Sequence, residues 1–231
     1  MDRFEIFNLP HLAVLILTVI ISILFVIIPK KFRNPFVKNS ISILLFSTII
    51  FSTLFALIDK STNGYLFAPN NLPMHLCDWV MIFVLVTFIT KSQFSYELTY
   101  FWGLGGTLQA LLTPDLTINY PSWSFILFFI NHAAIIISII YFTFVFRLRP
   151  YPVSIKRVFV WAQIYFVSAF ITNLIFNTNY GFLMEKPGQG SLLDFLGPWP
   201  FYLISLEIMA LLSFIIYYLP FYIKDKISKK L

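Results

Sequence analysis

The sequence predicts an all-α membrane protein, a single domain of residues 1–231 with seven transmembrane helices, the N-terminus outside and the C-terminus cytoplasmic. Three observations carry this expectation. Of the residues, 59% are hydrophobic and only 11% charged, against about 25% charge in a soluble domain. Seven apolar runs are long enough to approach a membrane crossing, which takes roughly 20 residues of helix. The Lys and Arg residues fall almost entirely between alternate runs, as the positive-inside rule requires.

The runs lie at about 11–29, 39–58, 74–91, 97–114, 122–146, 156–177 and 199–223. Helices are the expected element, because lipid cannot satisfy an open sheet edge. The first run follows Asp2-Arg3-Phe4-Glu5, which lacks the basic n-region of a signal peptide, so it reads as a span. Proline and polar residues separate the runs: Asn34-Pro35, Pro69-Asn70-Asn71, Thr113-Pro114-Asp115, Pro150-Tyr151-Pro152 and Gly197-Pro198-Trp199-Pro200. No internal repeat or second domain is evident. The 28 Phe, 12 Tyr and 5 Trp suit lipid contact and interfacial belts.

Orientation follows from charge. Thirteen of the 16 basic residues lie on one side: Lys30, Lys31, Arg33, Lys38, Lys91, Arg147, Arg149, Lys156, Arg157, Lys224, Lys226, Lys229 and Lys230. Only Arg3, Lys60 and Lys186 lie on the other. The net charge of +6 is therefore a topology signal rather than a nucleic-acid patch. The expected location is the cell membrane, multi-pass. The expected partners are membrane phospholipids, with no nucleic acid and no soluble protein partner implied.

The single cysteine excludes an intramolecular disulfide and any multi-cysteine metal site. It lies in Pro73-Met74-His75-Leu76-Cys77-Asp78-Trp79, at the mouth of the third run. A thiol near a histidine is the minimum equipment for covalent acyl transfer. The competing reading is a small packing residue. In the expected topology the polar groups of the later runs share the outer half of the membrane. His132 lies about 15 Å down the fifth run and Glu207 about 12 Å down the seventh, at 1.5 Å per residue. Gln109, Asn131, Asn173 and Asn177 fall in the same zone. Together they suggest an outward-facing polar cavity; separate interhelical hydrogen bonds are the alternative.

At about 100° per residue, His75 and Cys77 point to opposite sides of a helix, while His75 and Asp78 share a face. His132 is then the best base for Cys77, with Glu207 or Asp78 orienting its imidazole. The expected catalytic residues are Cys77, His132, Glu207 and Asp78. His75, Gln109, Asn131, Asn173 and Asn177 are expected to bind substrate, with Asn131, Gln109 or Asn173 donating to an oxyanion. His11 reads as an interfacial histidine. Gly103-Leu104-Gly105-Gly106-Thr107 lacks the Lys-Ser/Thr of a phosphate loop, so close helix packing is its default role. The long 178–198 loop, rich in Leu and Phe, reads as a cap over the outer mouth or as a mobile connection.

Several of these stretches, in order, resemble the YwaF-like family of bacterial integral membrane proteins. They are Pro73 to Asp78, Trp102 to Ala110 with Thr113-Pro114-Asp115, Asn131-His132, Asn177 to Leu183 with Pro187, and Leu196 to Pro200. The eukaryotic relatives of that family include a transmembrane acyltransferase that moves fatty acyl chains between phospholipids. The resemblance implies a cysteine nucleophile at Cys77 and a histidine partner at His132.

The leading expectation is thus a membrane acyltransferase or lipid thioesterase acting on phospholipid acyl chains, with no cofactor and no metal. Two rivals remain. One is a zinc-dependent membrane hydrolase, with ligands from His75, Asp78, His132 and Glu207 or His11. The other is a non-catalytic transporter or lipid-binding protein.

Overall fold

The computed structural model describes residues 3–188 and 191–228. Lys229 and Lys230 of the basic tail, Asp2, and Gln189 and Gly190 of the long loop lie outside the described residues. The main elements of the described residues are helices: α1 (Leu9–Phe32), α2 (Pro35–Thr62), α3 (Leu76–Thr90), α4 (Gln93–Trp102), α5 (Leu108–Leu112), α6 (Trp123–Phe144), α7 (Pro152–Phe176) and α8 (Phe201–Ser228). Among the described residues the only extended pairing is an isolated bridge between Arg3 and Ile118.

The helix ends follow local chemistry. Asn8 caps α1 by accepting the His11 N–H at 3.0 Å. Asn34 caps α2 and places Pro35 in the first turn, where a missing N–H costs nothing. Ser92 and Ser122 cap α4 and α6. Lys91 closes α3 and Asn177 closes α7, both in the left-handed conformation.

Six stretches are long and apolar enough to cross a membrane: α1, α2, Pro69–Thr90, α6, α7 and α8. The run expected at 97–114 takes a different form. The helical path from Gln93 to Leu112 is broken by a π segment, Gly103–Thr107, between α4 and α5. Its composition is polar because it is enclosed by protein. Every residue from Ser95 to Trp102 is buried, including Glu97 and Thr99. A helix surrounded by other helices needs no lipid-facing apolar surface.

The bundle is centred on α6. Its apolar window is 56% buried, against 17–22% for the other five stretches. Helices α1 and α2 pack on α6, α3 packs on α4, and α7 on α8. The outer faces carry exposed Ile, Leu, Val and Phe, such as Ile16, Ile20, Ile171, Leu174, Ile208 and Leu212. Long helices that expose such faces define a multi-pass membrane protein.

Two glycines of the π segment allow the tightest approaches. A Cβ on Gly103 would lie 2.3 Å from Ile139 Cδ1 of α6, and one on Gly106 would lie 2.8 Å from Leu76 Cδ2 of α3. The helix-packing reading of this glycine string is thereby given its contacts.

At the end of the bundle where α4 begins, polar residues are paired. Glu97, 1% exposed, accepts from Arg157 at 2.8 Å and from Gln93 Nε2 at 2.9 Å. Arg149 forms a two-point ion pair with Asp225.

Candidate functional site

Cys77 is the second residue of α3. The helix starts there because His75, the N-cap, is extended, and its backbone N–H is accepted by Asp78 Oδ2 at 3.0 Å. Asp78 therefore caps its own helix, and it also lies within electrostatic reach of the His75 ring. The start of a helix carries partial positive charge, which suits a group that becomes anionic.

The half-buried thiol has three kinds of neighbour. Thr107, fully buried at the end of the π segment, directs its hydroxyl at Cys77 Sγ from 3.7 Å. Tyr165 of α7 lies within electrostatic reach of Cys77 and Asp78, beside the backbone N–H of Leu76. Among the described residues no group accepts a hydrogen bond from the Tyr165 hydroxyl, although the side chain is only 7% exposed. Trp79 and Trp102 flank Tyr165 at ring separations of 5.6 and 6.2 Å. The buried Nε1 of Trp102 is also without a partner.

A roof covers this end. Tyr180 packs edge-on against His75 at 4.9 Å, and its hydroxyl donates to the Pro69 carbonyl. Gly181, with φ +65°, passes directly over Tyr165: a Cβ there would sit 2.9 Å from the hydroxyl oxygen. Asn173 ties the roof down. Its Oδ1 accepts the Tyr180 N–H at 2.7 Å and the Thr178 hydroxyl at 2.9 Å, and its Nδ2 donates to the Tyr180 carbonyl at 3.0 Å. Tyr202 and Trp199 donate to the carbonyls of Phe182 and Leu183. The first part of the 178–198 loop is thus a fastened cover.

His132 of α6 is held differently from expectation. Its Nδ1 lies 2.7 Å from the Phe128 carbonyl, and its ring stacks on Phe128 at 4.0 Å. A carbonyl only accepts, so Nδ1 carries the proton and Nε2 of the neutral ring keeps its lone pair. The ring lies within electrostatic reach of His75. The orienting group is therefore a backbone carbonyl, where Glu207 or Asp78 was expected.

Glu207 is engaged elsewhere, accepting from Gln163 Nε2 at 2.7 Å across α7 and α8. Asn131 is bound to Ser52 of α2 at 2.5 Å. Gln109 sits against the Tyr217 hydroxyl. Asn177 ends α7 at φ +51°. These four polar residues form separate local pairs or caps, whereas His75, Cys77, Asp78 and Asn173 belong to one neighbourhood, with His132 near it. His11 departs from the interfacial reading. It is fully buried, receives the Phe7 N–H on Nδ1 at 3.0 Å, and places Nε2 2.8 Å from the Leu111 carbonyl. It joins the start of α1 to the end of α5. Among the described residues no three His, Cys, Asp or Glu side chains gather as metal ligands, so the zinc reading finds no ligand set.

Sequence reasoning assigned no role to Thr107 or Tyr165. Tyr165 has no local signal, since a tyrosine in an apolar run is ordinary. Thr107, Tyr180 and Gly181 were within reach, because they lie in motifs that carried the family resemblance.

Fold and site together define a multi-pass helical membrane protein with a roofed thiol–hydroxyl cluster at one end of its bundle. The chain belongs to the TMEM164 family, whose model matches residues 6–218. That model is not one specific to the YwaF-like proteins. The chain is also 24% identical over 215 residues to an uncharacterized protein of Treponema pallidum (strain Nichols), covering 93% of this chain and 89% of that one. No solved structure matches.

Proposed function

We propose that this protein transfers or hydrolyses acyl chains of membrane phospholipids, with Cys77 as nucleophile. The observation that carries the reading is the unaccepted hydroxyl of Tyr165 within electrostatic reach of the thiol. A buried donor without an acceptor costs about 1–3 kcal/mol. That cost is removed when an ester carbonyl enters and its oxygen becomes negative during attack. The Leu76 N–H lies beside the same hydroxyl and supplies a second donor.

The chemistry balances as follows. His132 Nε2 takes the thiol proton, and Cys77 Sγ bonds to the ester carbonyl carbon. The tetrahedral intermediate collapses, the C–O bond breaks, and the imidazolium returns its proton to the departing alkoxide. A lipid hydroxyl or water then attacks the thioester by the reverse proton path. The Thr107 hydroxyl supports negative charge on sulfur before it attacks and again as it leaves the thioester.

The path from Gln93 to Leu112 is the fourth of seven crossings in this reading. Its 20 residues span about 30 Å at 1.5 Å per residue, the thickness of a hydrocarbon core. The N-terminus then lies outside the cell membrane and the Cys77 site lies toward the outer leaflet beneath its cover, supported by the split of Lys and Arg. Reporter fusions that put both termini on one side would end that topology.

The deciding experiment is intact-protein mass spectrometry after incubation with phospholipid vesicles, reading an acyl adduct on Cys77. Cys77→Ala is expected to fold and to lose both adduct and turnover. Cys77→Ser is expected to retain weak turnover, because a hydroxyl attacks more slowly. His132→Ala should match Cys77→Ala, with the double variant little worse than either. Turnover by Cys77→Ala at the parent rate would end the thiol mechanism.

A further inference from the structure

At the end of the bundle away from Cys77 lies an open cavity of about 870 Å³, walled by the end of α1, the start of α2 and the ends of α3 and α6. Five cations line it: Lys30, Arg33, Lys38, Lys91 and Arg147. No Asp or Glu does. Helix α3, about 22 Å long at 1.5 Å per residue, separates this cavity from the thiol.

We infer that this cavity is a binding site for a phosphate-bearing anion, either the headgroup of an acidic phospholipid or a soluble phosphate.

Charge placement for topology alone does not account for it. Positive-inside sorting asks only that cations lie on one side, and it is satisfied by dispersed residues such as Lys156 and Lys224. Here five converge on one concavity, where mutual repulsion opposes their approach. The neighbouring arginines at the same end provide a comparison. Arg149 and Arg157 are neutralised by Asp225 and Glu97, whereas none of the five forms an ion pair among the described residues.

The backbone is also arranged for these side chains. Arg33, Lys91 and Arg147 all adopt positive φ, at +49°, +50° and +60°. Glycine or asparagine takes that helix-ending conformation more readily. The C-caps of α1 and α3 have instead placed Arg33 and Lys91 there, and Arg147 does the same three residues past α6, each lining the same space. Lys38 is fixed from across the cavity wall, since its carbonyl accepts from buried Tyr141 at 2.7 Å and from Ser42 at 2.9 Å. The ammonium groups of Lys30, Lys38 and Lys91 lie over the rings of Phe144 and Phe146, 4.8 to 5.4 Å from the centroids. Those contacts hold the groups in place without cancelling their charge. The first turn of α2, a 28-residue helix, opens on the same space and adds its positive end. The volume suits a headgroup, since ligand cavities run about 300–1,000 Å³.

The test uses the purified full chain in detergent. Native mass spectrometry measures retention of added phosphatidylglycerol against phosphatidylcholine. Thermal unfolding with inorganic phosphate, against chloride at equal ionic strength, measures the soluble source. A triple variant, Arg33→Gln, Lys38→Gln and Lys91→Gln, removes three of the five cations. A control, Lys156→Gln, Lys224→Gln and Lys226→Gln, removes the same charge outside the cavity. A third, Lys38→Arg with Lys91→Arg, keeps the charge and guards against loss by misfolding. Each basic residue contributes about fivefold to the affinity for an acidic lipid, so the triple variant should bind about a hundredfold less. The control and the Arg variant should bind as the parent does. Phosphatidylglycerol retention lost only in the triple variant assigns the site to lipid. Stabilisation by inorganic phosphate, lost only in the triple variant and without lipid preference, assigns it to a soluble anion. Equal losses in triple and control variants, or no preference for either probe in the parent, would overturn the proposal.

Discussion

Gly103→Ala tests how closely the π segment is packed, because one added methyl has a defined neighbour. The new Cβ would stand 2.3 Å from Ile139 Cδ1 and 3.5 Å from Val80 Cγ1. Carbon atoms prefer about 3.5–4.0 Å, so Ile139 must retreat by more than an ångström. Ile139 is 1% exposed and has little free space. Overpacking of this kind costs about 1–3 kcal/mol. Helix propensity returns up to about 1 kcal/mol for alanine over glycine. The net expectation is a loss of about 1–2 kcal/mol. Ile139→Val removes Cδ1 and alone costs about 0.5–1.5 kcal/mol. In the double variant the clash is gone, so it should be no less stable than Ile139→Val alone. Gly105→Ala is the internal control, because its Cβ would meet only Phe214, at an ordinary 3.9 Å. It should be neutral or slightly stabilising. Denaturant unfolding of the detergent-solubilised protein, followed by tryptophan fluorescence, reads all four variants. Additive effects of Gly103→Ala and Ile139→Val, or equal behaviour of Gly103→Ala and Gly105→Ala, would refute the packing argument.

Other substitutions address the remaining contacts. His11→Leu leaves the Leu111 carbonyl and the Phe7 N–H without partners, and should cost about 1–3 kcal/mol in the same assay; an unchanged midpoint would show that His11 is dispensable. Asn173→Ala removes three hydrogen bonds to Thr178 and Tyr180, and should speed hydrogen exchange through residues 178–188 while leaving α6 protected. Exchange at the parent rate would mean that the roof is held by other contacts. Glu97→Ala strips the acceptor from Arg157 and leaves Gln93 only the Arg149 carbonyl, and should cost about 2–3 kcal/mol, below the figure for a fully buried pair because the Arg157 side chain is 40% exposed. A smaller loss than for a surface Lys→Ala change would show that the pair contributes nothing.

What was legible in the sequence was local. Hydrophobic runs and the sorting of Lys and Arg depend on one stretch of chain and its solvent, so they showed helical spans and a membrane before any fold was known. Cys77 stood out for the same reason, as the sole thiol beside His75 and Asp78. Contacts between distant residues have no such signature. Nothing in Phe166 or Tyr165 taken alone says which of them comes within electrostatic reach of Cys77. Nothing in His11 announces the carbonyl of Leu111, 100 residues away. Depth along a helix was readable from rise per residue, but direction around the axis was not. Residues at one depth therefore separated into different partnerships: Glu207 with Gln163, Asn131 with Ser52, and His132 with its own Phe128 carbonyl. The polar stretch from Gln93 shows the same division. Its composition is explained only by enclosure among α3, α6 and α7, because a helix shielded from lipid is free to carry Glu97 where a lipid-facing one is not.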